Sequence, residues 1–171
     1  QLEDLSERRT IVISNEEWHK GVIGIVASRL TEIYYRPAVV LTRTNDLATG
    51  SARSVSGFDV YKAIEHCRDL LENFGGHTYA AGLSMKAENV EKFTQRFEEY
   101  VTNHILPEQR SAVIDIDAEI DFRDITPKFH SDLKRFNPFG PDNHKPVFCT
   151  HHVYDYGTSK VVGREQEHIK L

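Results

Sequence analysis

The chain has only two cysteines in 171 residues, Cys67 and Cys149, and neither has a second thiol or a histidine at zinc-finger spacing. That argues against a disulfide framework and a structural zinc site and leaves reduced core or surface thiols. No run approaches the roughly 18 consecutive apolar residues of a membrane span, and no charged-then-apolar leader opens the chain. The expectation is therefore a cytoplasmic protein with no membrane partner. A basic excess is also lacking: 21 Lys and Arg face 26 Asp and Glu, a net charge of −5. This argues against a protein that coats duplex nucleic acid, but it leaves room for a local cationic groove. Residues 1–110 and 111–171 are acidic by three and two charges, so charge does not mark one half as the partner-binding half. Methionine occurs once, at Met85, and Gln1 opens the chain. The expectation is a piece of a longer polypeptide that continues past Leu171. No internal repeat or low-complexity tract is evident.

What is present is 39% apolar and 27% charged residues, a globular composition with length for one ordinary domain and a small second one. Thr10–Ser14 is a β-branched run that predicts a buried strand. From Gly21, Val22, Ile23, Ile25, Val26, Leu30 and Ile33 recur at helical spacing, and that helix ends before Pro37. Ala38–Leu41 predicts a strand, with the stretch after Thr49 pairing beside it. Phe58, Tyr61, Ile64 and Leu71 trace a second helix that starts near Asp59 and ends near Asn73–Gly75. Ala80–Met85 predicts a strand, and Val90, Phe93, Phe97, Tyr100 and Val101 a third helix ending before Pro107. Strands alternating with helices predict an α/β layer with a mixed sheet. The pattern changes at about 107–112, where a polar connector precedes the strand-like alternation of Val113–Asp121. Beyond it come a helix at Pro127–Lys134, a loop at Asn137–Pro146, and strands near Val147–Tyr154, Ser159–Gly163 and Ile169–Leu171. This predicts an α/β domain over 1–108 and an incomplete small β-barrel of oligonucleotide-binding type over 109–171.

Gly75-Gly76-His77-Thr78-Tyr79-Ala80-Ala81-Gly82 sets paired glycines before a histidine and small residues after it, which lets backbone approach a phosphate or metal closely. A glycine helix cap with an incidental histidine fits the same letters. Gly50-Ser51-Ala52-Arg53-Ser54 brings together a hydroxyl and an arginine fork suited to phosphate, although a lone arginine in a turn is more often solvated. His19 and Lys20 stand at the opening of the first helix, where free N–H groups favour an anion; Trp18 beside them also reads as a simple anchor. Phe139, within Arg135–Asn143, offers a ring for base stacking or a cap on a small core. His151-His152 has no carboxylate partner at a spacing that defines a metal site.

The order GSARS followed by GGHTYAAG resembles the DHH-associated domain of the DHH phosphoesterase superfamily, and the N-P-F-G-x-x-N loop at 137–143 resembles RecJ-type single-stranded-DNA exonucleases in particular. The resemblance implies His77 as a phosphate contact that assists the metal centre. It further implies Ser51, Arg53, Gly75 and Gly76 as substrate contacts; His19 and Phe139 stand beside them as candidates from the residue reading above. It places Mn2+ or Mg2+ in a separate N-terminal DHH domain, with no metal or cofactor in this chain, and makes single-stranded DNA and that DHH domain its partners. The implied activity is metal-dependent 5′→3′ digestion in recombination and repair, with this fragment inactive alone. Three rivals stand beside it: a short-oligonucleotide or cyclic-dinucleotide phosphodiesterase, a non-catalytic strand-binding module, and an alanyl-tRNA-synthetase-like accessory domain.

Overall fold

The computed structural model describes residues 8–140, 142–166 and 168–170; the expectations for Gln1–Asp4 and Leu171 lie outside them. Strand β1 (Ile11–Asn15) leads into helix α1 (Ile23–Tyr34), followed by β2 (Ala38–Thr44), β3 (Leu47–Arg53) and helix α2 (Val60–Glu65). Then come β4 (Asn73–His77), β5 (Ala80–Lys86) and helix α3 (Val90–His104). The five strands form one mixed sheet in the order β1-β2-β3-β5-β4, parallel only between β1 and β2.

Burial patterns along the strands show how the two faces of this sheet are covered. On one face, Val39, Leu41, Ala48, Ala52, Leu83 and Met85 pack with Phe93, Phe97 and Val101 of α3 and with Val60 and Ile64 of α2. On the other, Val40 packs with Ile23 and Ala27 of α1, with Ile13, Trp18 and Leu30 around them. Strand β2 is therefore buried on both sides, which is why it reads as a continuous apolar run. Strands β3 and β5 alternate buried and accessible residues because α2 and α3 seal one face, while α1 packs chiefly over β2 and β3. The α1-side face of β5 and β4 is left open.

Cys67 lies in the α2–α3 core, where burial pushes its thiol up to about 11. At neutral pH it is a packing thiol, not a nucleophile. Helix α2 is capped by Asp59, whose Oδ1 accepts the Lys62 N–H at 3.2 Å. Asp59→Ala is expected to lower the stability of this unit by about 1 kcal/mol in denaturant titration.

The sequence pattern overextends α2. The helix stops at Glu65, a tight 3-10 turn covers Arg68–Leu70, and Asn73–His77 is a strand and not a helix end. Leu70, Leu71 and Phe74 still reach the core, so their apolar spacing is real. The backbone of 73–77 is claimed instead by the ladder to β5, which two adjacent glycines favour over a helix.

The chain divides between Ala112 and Val113 into two compact units. In the second, β6 (Ala118–Glu119) pairs in parallel with β7 (Phe148–Cys149), and β8 (Lys160–Val162) pairs antiparallel with β9 (His168–Lys170). Helix α4 (Pro127–Lys134) has the predicted bounds, with Thr126 accepting the Phe129 N–H at 3.1 Å. These are the open pieces of an incomplete oligonucleotide-binding barrel. The alternation of 113–121 yields only a two-residue strand, and Val113 and Ile114 are exposed.

Candidate functional site

The open face carries the sequence-predicted residues in cross-strand rows. Arg53 is opposite Ala80, and Ala80 is opposite His77; two residues along, Ser51 is opposite Gly82, and Gly82 is opposite Gly75. Directly opposed residues share a face, as do alternate residues along a strand, so all six lie on one side of the sheet. Arg53 and His77 stand two strand spacings apart, about 10 Å, with only the Ala80 methyl between them. A Cβ built at Gly75 or Gly82 meets nothing within 4 Å. The floor beside the Arg53–His77 row is therefore bare backbone facing open space.

Arg53 is held in place by its neighbours. Its Nε donates to Ser28 Oγ at 3.1 Å, and its Nη1 donates to Ser51 Oγ and to the Ala52 carbonyl, both at 2.8 Å. Ser28 Oγ in turn donates to the Gly24 carbonyl one turn earlier on α1, at 3.1 Å. A Cβ at Gly24 would lie 3.1 Å from Arg53 Nη2 and 3.3 Å from Ser51 Oγ, so a missing side chain in the first turn of α1 makes room for the guanidinium. Nη2 makes no hydrogen bond among the described residues. The α1 N-terminus adds unpaired N–H groups: Val22 supplies no side-chain cap and the first turn has no acidic residue. A guanidinium, a hydroxyl and a helix N-terminus brought together in this way favour a phosphate.

His77 closes β4 and is exposed. The Tyr79 N–H reaches its Nδ1 at 3.4 Å, which favours the tautomer that leaves an Nε2–H donor free. The Thr78–Tyr79 turn is tied down: Ser54 N–H donates to the Tyr79 carbonyl and Val60 N–H to the Thr78 carbonyl, each at 3.0 Å. Ser54 directly follows Arg53, so these bonds fix the His77 turn relative to the arginine.

The two glycines of the motif differ. Gly75 borders the open floor. Gly76 has φ +153°, and a Cβ there would collide with the Ala80 carbonyl and the Ala81 backbone of β5. The sequence treats them as one close-approach pair; the ladder gives Gly75 to the open face and uses Gly76 to let β4 close on β5.

Further along the same face a cleft of about 640 Å³ is lined by residues including Lys20, Asp46, Glu72, Asn73, Ser84 and Lys86. Its two ammonium groups are matched by two carboxylates. Sequence reasoning missed Gly24, Ser28, Asn73 and Ser84, although each carried a signal. Gly24 and Ser28 are spaced i, i+4 on the first helix, and Asn73 and Ser84 lie at even steps from His77 and Ala80. His19 is not brought to Arg53 by any hydrogen bond among the described residues; its Nδ1 accepts the Gly21 N–H at 3.0 Å in the loop before α1. Trp18 is the anchor of its alternative reading, packed on the Ile23–Ala27–Val40 cluster. Phe139 is in the second unit, half-buried. His151 does gain a carboxylate, Glu119 at 3.8 Å, because β6 lies beside β7, but both side chains are exposed. No group of three or more metal-ligating side chains occurs among the described residues.

A DHHA1 domain model matches residues 8–103, and a RecJ OB domain model matches residues 116–171. The chain belongs to the DHHA1 domain family. Together the two models cover the C-terminal arrangement of RecJ-type proteins. This DHHA1 chain is 35% identical over 167 residues to the single-stranded-DNA-specific exonuclease RecJ of Bacillus subtilis (strain 168), covering 96% of this chain and 21% of that protein. It is 32% identical to the RecJ of Escherichia coli (strain K12), covering 94% of this chain and 28% of that protein. A crystal structure of RecJ in complex with Mg2+ from Thermus thermophilus matches with a TM-score of 0.73 at 29% identity, over 82% of this chain and 22% of that one. The DHHA1 chain thus spans roughly a quarter or less of the length of most of these relatives. A structure of RecJ in complex with Mn2+ from the same organism matches equally well, with a TM-score of 0.73. No helix among the described residues is long and apolar enough to cross a membrane.

Proposed function

We propose that this DHHA1 chain is the nucleic-acid-gripping part of a metal-dependent 5′→3′ single-stranded-DNA exonuclease that acts in the cytoplasm in recombination and repair. The observation that carries the reading is the Arg53–Ala80–His77 row beside the bare Gly75–Gly82 floor. Arg53 and Ser51 hold a backbone phosphate of the strand, and His77 donates from Nε2 to the scissile region and, when cationic, offsets charge building up there. Gly75 and Gly82 let the sugar-phosphate chain lie on the sheet, while Gly76 shapes the turn. Residues 1–108 grip the phosphates; residues 109–171, with Phe139, hold the same strand through its bases. Mn2+ or Mg2+ belongs to an N-terminal DHH domain of the parent polypeptide, where it activates water and neutralises the leaving group. In this reading the ion comes from that domain, and the fragment alone hydrolyses nothing.

The test is digestion by the intact parent polypeptide with Mn2+, offered end-labelled single-stranded DNA, duplex DNA and a cyclic dinucleotide side by side. Stepwise release of mononucleotides from the 5′ end of the single strand alone is expected. An inert single strand with a cleaved dinucleotide would move the chain to the signalling phosphodiesterases, and no cleavage of any substrate would leave a binding module. Purified fragment that degrades the single strand, and loses that activity on His77→Ala, would overturn the assignment of hydrolysis to the DHH domain.

A further inference from the structure

Glu98, on α3, directs its carboxylate at the two residues that lead into β1. Its Oε1 accepts the Arg9 N–H at 2.6 Å, and its Oε2 accepts the Thr10 N–H at 2.9 Å and the Thr10 hydroxyl. The Thr102 hydroxyl, one turn on along α3, donates to Oε1 at 3.2 Å. The next amide of the entering chain, the Ile11 N–H, donates to the Pro37 carbonyl at 3.0 Å, so from that residue on β1 is held by β2. Arg9 and Thr10 precede the ladder, and the carboxylate takes the place of a neighbouring strand there with charge-assisted bonds. Glu98 is itself fixed, because Phe97 and Val101 beside it on α3 are fully buried in the core.

This clamp lies at the end of the site row. Ile11 is opposite Ala38, Ala38 is opposite Arg53, Arg53 is opposite Ala80, and Ala80 is opposite His77. The row thus crosses all five strands, from β1 at one edge of the sheet to β4 at the other. His77 is four strand spacings from Ile11, about 19 Å, and Arg53 is two, about 10 Å. A rotation of about 3° at the β1 end would carry His77 through about 1 Å and Arg53 through about half as much. In the reading proposed above, the metal ion is in a domain N-terminal to this chain. The polypeptide then enters the first unit through Arg9 and Thr10, where the DHHA1 match begins at residue 8.

We infer that Glu98 is a positioning residue for the hydrolysis: by clamping Arg9 and Thr10 it fixes the pivot from which His77 is aimed at the metal centre of the preceding domain. The inference rests on that reading and adds what sets the aim across the cleft. A displacement on the order of 1 Å is enough to slow a reaction up to about 100-fold. The phosphate grip at Arg53 has half the lever arm and is tied to α1 through Ser28, so it changes little. The step that depends on Glu98 is therefore turnover and not strand capture.

The experiment uses the intact parent polypeptide with Mn2+ and single-stranded DNA. Glu98→Gln keeps the size of the side chain but turns one acceptor into an NH2 group facing an N–H donor. It is expected to lower kcat about 10- to 100-fold, with KM, and strand affinity measured in EDTA, near wild type. Amide exchange at Arg9 and Thr10 should rise, with that of Val39 and Val40 unchanged. In a His77→Ala background the same substitution should add little, since the aim of an absent imidazole has no effect. Thr10→Val removes only the hydroxyl donor and should show a smaller loss of kcat in the same pattern. Equal losses in the wild-type and His77→Ala backgrounds, a fall in strand affinity that matches the fall in kcat, or full activity despite open Arg9 and Thr10 amides would make Glu98 a fold-stabilising residue only. Each would overturn the inference while the exonuclease reading stands, as would wild-type kcat in Thr10→Val if Glu98→Gln does not fold. A wild-type parent that digests no single strand removes that reading and the inference with it.

Discussion

Arg53→Ala is expected to lower the parent polypeptide's kcat/KM on single-stranded DNA by about 100-fold or more, the usual cost of removing a preorganised donor from a developing charge. Ser28, Ser51 and the Ala52 carbonyl hold the guanidinium, so its free Nη2 edge needs no rearrangement when phosphate arrives. Arg53→Lys should recover little. One ammonium cannot reach Ser28 and Ser51 together and still present a planar edge. The loss should appear with unfolding behaviour close to wild type, because the side chain is on the open face and not in the α2–α3 core. Ser28→Ala, which acts only by positioning the arginine, should show a smaller loss in the same assay. An Arg53→Ala protein within about threefold of wild type, far short of the loss expected for such a donor, would remove this residue from the site.

The second large effect separates two neighbouring glycines. Gly76→Ala is expected to destabilise the first unit by about 3 kcal/mol, the upper end of ordinary overpacking, because the new methyl meets backbone that cannot swing aside. Its φ of +153° adds strain for any L side chain. For a domain of this size that is a fall in Tm on the order of 10–20 °C. Gly75→Ala meets nothing within 4 Å and should leave Tm unchanged or slightly raised, since alanine orders a strand more readily than glycine. It should nevertheless weaken strand binding, because the methyl stands on the floor where a sugar-phosphate chain would lie. Thermal unfolding and oligonucleotide binding of the two variants should thus move in opposite patterns. Equal Tm values for both would contradict the ladder register that places Gly76 against β5.

Much of this chain is legible without coordinates. The Ala38–Leu41 run, the helical spacing of 22–33 and 90–101, and the Pro127–Lys134 helix all appear where their patterns point. Each is a local property: burial on two faces makes a strand uniformly apolar, and burial on one side makes a helix amphipathic. Phe58–Leu71 misled because Leu71 and Phe74 enter the same core from a turn and a strand. Apolar spacing records that a residue is buried, not the backbone that delivers it.

The sequence by itself determined that a hydroxyl, an arginine, a histidine and bare glycines occur in two short segments; it reads 50–54 as a turn and 75–77 as a loop, where the structure has strands β3 and β4. It could not determine that 51–53 and 75–82 are neighbours, because pairing between distant segments is a contest among registers that no local pattern records. Only the tertiary structure decided that Arg53, Ala80 and His77 form one row, that Gly76 serves the ladder while Gly75 serves the open face, and that Ser28 holds the arginine. The physical reason lies in how the helices are placed. Alternation marks two faces of a strand but does not say which one a helix will cover, and here α2 and α3 seal one face of the sheet while α1 packs chiefly over β2 and β3, leaving the opposite face of β5 and β4 as the surface on which a strand can be held.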